Sequence, residues 1–173
     1  MISQLDHLDS QDSSILDVVR VLNATDGSAL AISAARQAPG LVSPGSTFVL
    51  VTAVAPTEDP EEDAGGFEGP LITPEEAADE HRSKVVEADG ELARTAAALG
   101  SVPVEQLMVE GSPGEAICAL AAESKFDLIV VGSHGRGVLA RVFLGSVSSY
   151  IVHHAPCPVL VIRAQHGAAP ETA

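Results

Sequence analysis

Tryptophan is absent from this sequence, and aromatic residues make up 3 % of its 173 positions. Stacking bases on aromatic platforms is therefore excluded as a main activity. Basic residues are scarce too. Lys and Arg number 9 against 24 Asp and Glu, a formal charge of −15. Such a chain repels phosphate backbones and anionic membranes, so neither nucleic acid nor membrane is expected as a partner. Lysine occurs only at Lys84 and Lys125. The two cysteines, Cys118 and Cys157, form no close-spaced pair, which excludes a disulfide framework and a cysteine metal site and fits a reduced, cytoplasmic setting. No apolar run reaches the ~18–20 residues of a membrane span. The stretch MISQLDHLDSQDSS has no basic start and no apolar core, so no secretory signal is expected there.

What the chain has is apolar content, 46 % of its residues, in the length of one domain. Residues 1–13 read as a loose polar arm, 14–163 as the domain and 164–173 as a tail. Ile15–Asn23 (ILDVVRVLN) is β-branched and ends in ATDGS, so it reads as a buried strand and a turn. Ala29–Ala38 has a helical pattern stopped by Pro39 and Gly40. Thr47–Val54 reads as a second strand. Residues 57–80 are strongly acidic with no Lys or Arg, and 57–72 reads as a solvated, glycine-containing loop. Thr73, Pro74 and Glu76 form a helix start with a capping box. Val85, Ala88, Leu92, Ala96 and Leu99 keep that helix's apolar spacing up to Gly100. Val104–Val109 is a third strand. Ser112 and Glu115 repeat the capping pattern ahead of a helix carrying Ile117, Leu120 and Ala121. Leu128–Val131 is a fourth strand, Ser146–His154 a helix and Val159–Ile162 a fifth strand. Strict alternation predicts an α/β fold, a parallel sheet with helices on both faces. Such sheets bind ligands beyond the carboxyl ends of their strands.

Two loops stand at such ends, ATDGS at 24–28 and GSHGRG at 132–137. Gly132 and Gly135 are separated by two residues, and nine more precede Gly145-Ser146. Glycine admits positive φ and close approach of a ligand to the backbone. Exposed N–H groups in such a turn form an anion-binding nest. Gly145-Ser146 opens a helix whose first N–H groups carry partial positive charge. Ser146 suits a cap or a phosphate contact, and Arg136 and Arg141 add positive charge. Each helix-end interaction contributes about 0.3–1 kcal/mol, so several must converge to hold a polyphosphate. The residues alone leave two uses open, a phosphate cradle or a tight turn. The spacing is neither a Walker A loop nor the dinucleotide fingerprint.

The sequence resembles the universal stress protein family over about residues 15–163. The resemblance rests on ATDGS, DLIVVGSHGRG, LGSV and APCPVLVIR. The G-x2-G-x9-G-S/T spacing, complete here, is the signature of the family's ATP-binding branch. The resemblance implies a five-stranded parallel sheet of order 3-2-1-4-5 in a Rossmann-like α/β fold, and a dimer. It implies an adenosine pocket in which Ala24, Thr25 and Asp26 line the adenosine end and Ala53 faces the adenine. Val131 and Gly132 would lie beside adenine and ribose. Gly135, Arg136, Gly145, Ser146 and Val147 would hold the phosphates. Ala24 and Ala53 are smaller than the Pro or Val of many members, which implies a looser pocket. The implied function is a nucleotide-dependent stress-response module binding ATP, with AMP or a cyclic nucleotide as other ligands. Mg²⁺ would accompany ATP, because its phosphates need more countercharge than two arginines supply. No committed catalytic base or nucleophile is present. Slow ATP hydrolysis or self-phosphorylation at Ser146 or Ser148 follows from the resemblance alone.

Other residues have simpler roles open to them. Asp26 suits a ribose or adenine contact, and equally a helix cap. Ser133-His134-Gly135 partly resembles a nucleophile elbow, but Val131 stands where its first glycine belongs, and no acid lies between Ser133 and His153 or His154. His153 and His154 are adjacent, so on a helix they diverge and do not form a metal pair. Cys118 and Cys157 read as small packed residues. The fifth strand falls at a sheet edge, where an apolar strand invites pairing, so residues 159–162 are the expected dimer contact. The competing function is a nucleotide-independent interaction protein that uses the acidic loop 57–72.

Overall fold

The computed structural model describes residues 18–56, 73–135 and 144–163. The expected arm, acidic loop and tail lie outside these, as do Arg136 and Arg141. The elements are β1 (Arg20–Ala24), α1 (Ala29–Gln37), β2 (Thr47–Val54), α2 (Pro74–Leu99), β3 (Val104–Glu110), α3 (Pro113–Glu123), β4 (Leu128–Gly132), α4 (Ser146–His154) and β5 (Val159–Ile162). A short 3-10 turn, Ala38–Gly40, follows α1. The sheet has the expected order β3-β2-β1-β4-β5, with every pairing parallel.

Two strand faces explain the layers. Leu22, Ala24, Val49, Val51, Ile129 and Val131 pack with Ile117, Cys118 and Ala121 of α3 and Ile151 of α4. On the opposite face, Val21, Leu128 and Val130 pack with Ala34 of α1, and Leu50 packs with Ala35 and with Leu92 and Leu99 of α2. The central β1 is buried from Val21 to Ala24, as a strand covered on both faces must be.

The expected first strand is longer than the observed one. Val18 is 65 % exposed, and the Val19 amide donates to Ser46 Oγ at 3.1 Å, so the ladder starts at Arg20. Thr73 closes the predicted box: its hydroxyl accepts from the Glu76 amide while Glu76 Oε2 accepts from the Thr73 amide. Ser112 occupies the N-cap position of α3, but its side chain makes no capping bond. Ser28, not Asp26, caps α1, accepting from Ala31 N at 3.2 Å. Among the described residues, no helix is long and apolar enough to cross a membrane.

Candidate functional site

A cavity of about 390 Å³ opens beyond the carboxyl ends of β2, β1 and β4, where the winding of the sheet reverses. That lies within the ~300–1,000 Å³ of small-molecule sites. The structure brings ten of the eleven candidate residues together around it. From β1 and its turn come Ala24, Thr25 and Asp26, and from β2 comes Ala53. Val131, Gly132 and Gly135 come from β4 and the loop after it, and Gly145, Ser146 and Val147 from the start of α4. The eleventh, Arg136, lies outside the described residues.

The β1–α1 turn is held by its own side chains. Thr25 Oγ1 accepts from the Gly27 amide, and Asp26 Oδ1 accepts from the Ser28 amide, both at 3.0 Å. Gly27 has φ +68°, and a Cβ there would stand 3.1 Å from Cα of Glu91. Glycine thus lets the turn pass under α2. Gly132 and Gly135 serve close approach as well. A Cβ on Gly132 would stand 3.3 Å from Ala31 N, and one on Gly135 would stand 2.6 Å from Asp26 Oδ2. The expected positive φ is not what these glycines provide. Among the described residues it falls at Gly27, Gly45, Gly100, Gly111 and Lys125.

The start of α4 is clamped to the end of β4. The Gly145 amide donates to Ser133 O at 2.8 Å, and Ser148 Oγ lies within donating distance of the Ser133 and Gly145 carbonyls. Gly145 takes the N-cap position, with φ −69°, and Ser146 becomes the first helical residue. Side chains cap α1 and α2, whereas α3 and α4 receive none. Both uncapped helices begin at the cavity, through Pro113 and through Ser146-Val147. The first-turn amides of α4 therefore bring unclaimed donors and the positive end of a helix dipole to one end of the cavity. Ser146 is exposed, whereas Ser148 is buried with its hydroxyl engaged. Ser133 Oγ lies 3.0 Å from His134 Nδ1, but Ser133 is 2 % exposed and does not line the cavity, so its hydroxyl is not presented to a ligand there.

A model of the universal stress protein family matches residues 19–163. The chain belongs to the universal stress protein family. A universal stress protein of Methanocaldococcus jannaschii is 30 % identical over 148 residues, covering 83 % of this chain and 81 % of that one. One from Thermus aquaticus is 49 % identical over 69 residues, 39 % of this chain, and that match spans only half of the relative's length. The solved universal stress protein UspA of Lactobacillus plantarum superimposes with a TM-score of 0.64 at 23 % identity, covering 88 % of this chain and 100 % of that one. A universal stress protein solved in complex with cAMP superimposes with a TM-score of 0.53 at 25 % identity, covering 85 % and 98 %.

In this universal stress protein the cavity also has residues that the sequence reading missed. Thr52 and Glu91 line it, and Thr52 Oγ1 donates to Glu91 Oε2 at 2.6 Å. Glu91 is 9 % exposed. The signal was present, since residue 91 falls on the same stripe of α2 as Ala88 and Leu92, and Thr52 is the one hydroxyl inside the apolar run FVLVTAV. His134, Pro113 and Ile117 line it as well. The other reactive groups lie elsewhere. His153 and His154 are exposed, each Nδ1 donating to the carbonyl four residues back. Burial pushes the thiols of Cys118 and Cys157 up, with Asp127 and Cys118 adding to the effect at Cys157. Among the described residues, no group of three or more His, Cys, Asp or Glu is placed to hold a metal.

Proposed function

We propose that this protein is an adenine-nucleotide-binding module, with ATP as its ligand, whose state or choice of partner depends on the bound nucleotide. One observation carries the reading: a single cavity joins the uncapped start of α4 to the Asp26 carboxylate at the end of β1. Free helix amides suit phosphate oxygens, and a carboxylate suits ribose hydroxyls. Gly135, Gly145, Ser146 and Val147 would take the phosphates, with Arg136 added from the loop. Asp26 would take the ribose. Ala24, Thr25, Ala53, Val131 and Gly132 would take the base and sugar. The residues present fit the group: the first turn of α4 meets the cavity with no side-chain cap on its amides. Mg²⁺ would arrive with ATP and offset phosphate charge. The relative solved with cAMP supports an adenine nucleotide over other anions. Among the described residues, Ser133 is buried and Ser148 has its hydroxyl engaged, which supports slow or absent turnover.

The working unit is a homodimer paired through β5. Val159, Leu160 and Val161 stay only half-buried on this edge strand, and an open apolar edge pairs readily. The test of the nucleotide reading uses freshly purified protein. It is denatured, and released nucleotide is identified by mass spectrometry, followed by calorimetry of the stripped protein with ATP and Mg²⁺, AMP and cyclic AMP. Copurified ATP, or tight ATP binding, supports the proposal. A folded protein that carries and binds no adenine nucleotide overturns it.

A further inference from the structure

Among the described residues, three titratable side chains line the cavity. Asp26 comes from the β1–α1 turn, Glu91 from α2 and His134 from the loop after β4. The strands, α1, α3 and α4 bring no titratable group to it. Carboxyl side chains in general titrate near ~4 and imidazole near ~6.5. Among the described lining residues, His134 is therefore the one whose type gains a positive charge near physiological pH. Its place puts that charge where phosphates would lie. The His134 Cα stands 3.5 Å from where a Cβ on Gly145 would stand, at the start of α4. Ser133 holds both partners. Its carbonyl accepts from the Gly145 amide at 2.8 Å, and its Oγ lies 3.0 Å from His134 Nδ1. A hydroxyl donates to a neutral imidazole and accepts from an imidazolium. The ring is therefore held the same way in both charge states.

The uncapped amides of α4 offer only the partial charge of a helix end. The same cavity carries two carboxylates, in a chain of formal charge −15. A phosphate bound at α4 adds negative charge beside the ring and favours imidazolium over imidazole. We infer that nucleotide binding takes up a proton at His134, so that the affinity of the site rises as the pH falls. This rests on the nucleotide-binding reading above. The effect runs through charge across the cavity and needs no vacant site on the ring. The sign follows from linkage: the added affinity is full below the imidazole range and is lost as the pH rises through it.

The test compares the full native chain with His134→Gln by calorimetry, using ATP with Mg²⁺ at about pH 5.5 and about pH 8, on either side of the imidazole range. Gln keeps a polar group of similar reach and does not titrate. The titration of ATP itself is common to both proteins and cancels in the comparison. The ratio of affinities, acid over alkaline, should be about fivefold larger for the native protein than for the variant, the scale of a partly exposed charge pair. Equal ratios in a folded variant overturn the inference. If the variant melts early, the imidazole resonances of the native protein decide. ATP should move the titration midpoint of one histidine upward, and no upward shift at any histidine overturns the inference. A native protein that binds ATP at neither pH is a separate result, which overturns the nucleotide reading and this inference with it.

Discussion

Oδ2 of Asp26 lies 2.6 Å from where a Cβ on Gly135 would stand. The loop after β4 thus reaches the turn after β1 because residue 135 has no side chain. Gly135→Ala should displace the Asp26 carboxylate and lower nucleotide affinity about tenfold, the scale of a modest overpacking strain. Gly135 is exposed, so the melting temperature should hardly move. Unchanged affinity by calorimetry would remove Asp26 from the ligand contacts.

Asn23 sits in the central strand between Leu50 and Val130, 1 % exposed. Neither atom of its amide has a hydrogen-bond partner among the described residues. A buried polar group without a partner costs about 1–3 kcal/mol. Asn23→Leu has nearly the same shape and should raise unfolding stability in urea by roughly that amount. A loss of stability would mean that a buried water satisfies the amide.

The Thr73 amide and hydroxyl hold the Glu76 carboxyl below its ordinary value of 4.5. A carboxyl lowered in the folded state stabilises the fold above its unfolded value, and this is lost as pH falls through the folded value. Glu76→Gln should therefore be less stable than the native chain at neutral pH. The gap should close as pH drops below 4.5. A gap independent of pH, in thermal melts across that range, would assign the effect to something other than the charge.

Val161→Lys places a charge on the open edge strand β5. It should turn the dimer into a monomer with the sheet intact, as read by light scattering and circular dichroism. An unchanged mass would move the dimer contact off this edge.

Burial raises both thiols, so little thiolate forms near neutral pH. Cys118 and Cys157 should react with iodoacetamide much more slowly in the folded protein than in urea. Equal rates would contradict the packing of Cys118, on α3, against the sheet.

Local chemistry made much of the fold legible. β2 runs from Thr47 to Val54 as expected, because a largely apolar run rich in β-branched residues ends shortly before Pro56. α4 and β5 also match, and the Thr73 box forms both of its bonds. At three positions the local reading fails. Val19 looks like strand, but Ser46 takes its amide. Asp26 looks like a cap, but it bridges to Ser28, which caps instead. Ser112 has a cap's neighbours and makes no cap.

The sequence by itself determined the alternation of strands and helices, and with it a parallel sheet whose ligands lie at the carboxyl edge. Apolar periodicity and turn residues act over a few positions, so they can be read without the fold. The loop glycines could be located in the sequence, but their purpose could not. Only the tertiary structure decided that Gly135 makes room for Asp26, that α4 starts uncapped at the cavity, and that Glu91 turns a carboxylate inward against Thr52. Those relations join residues distant in sequence, and their geometry is set by how β1, β2, β4 and α2 pack together.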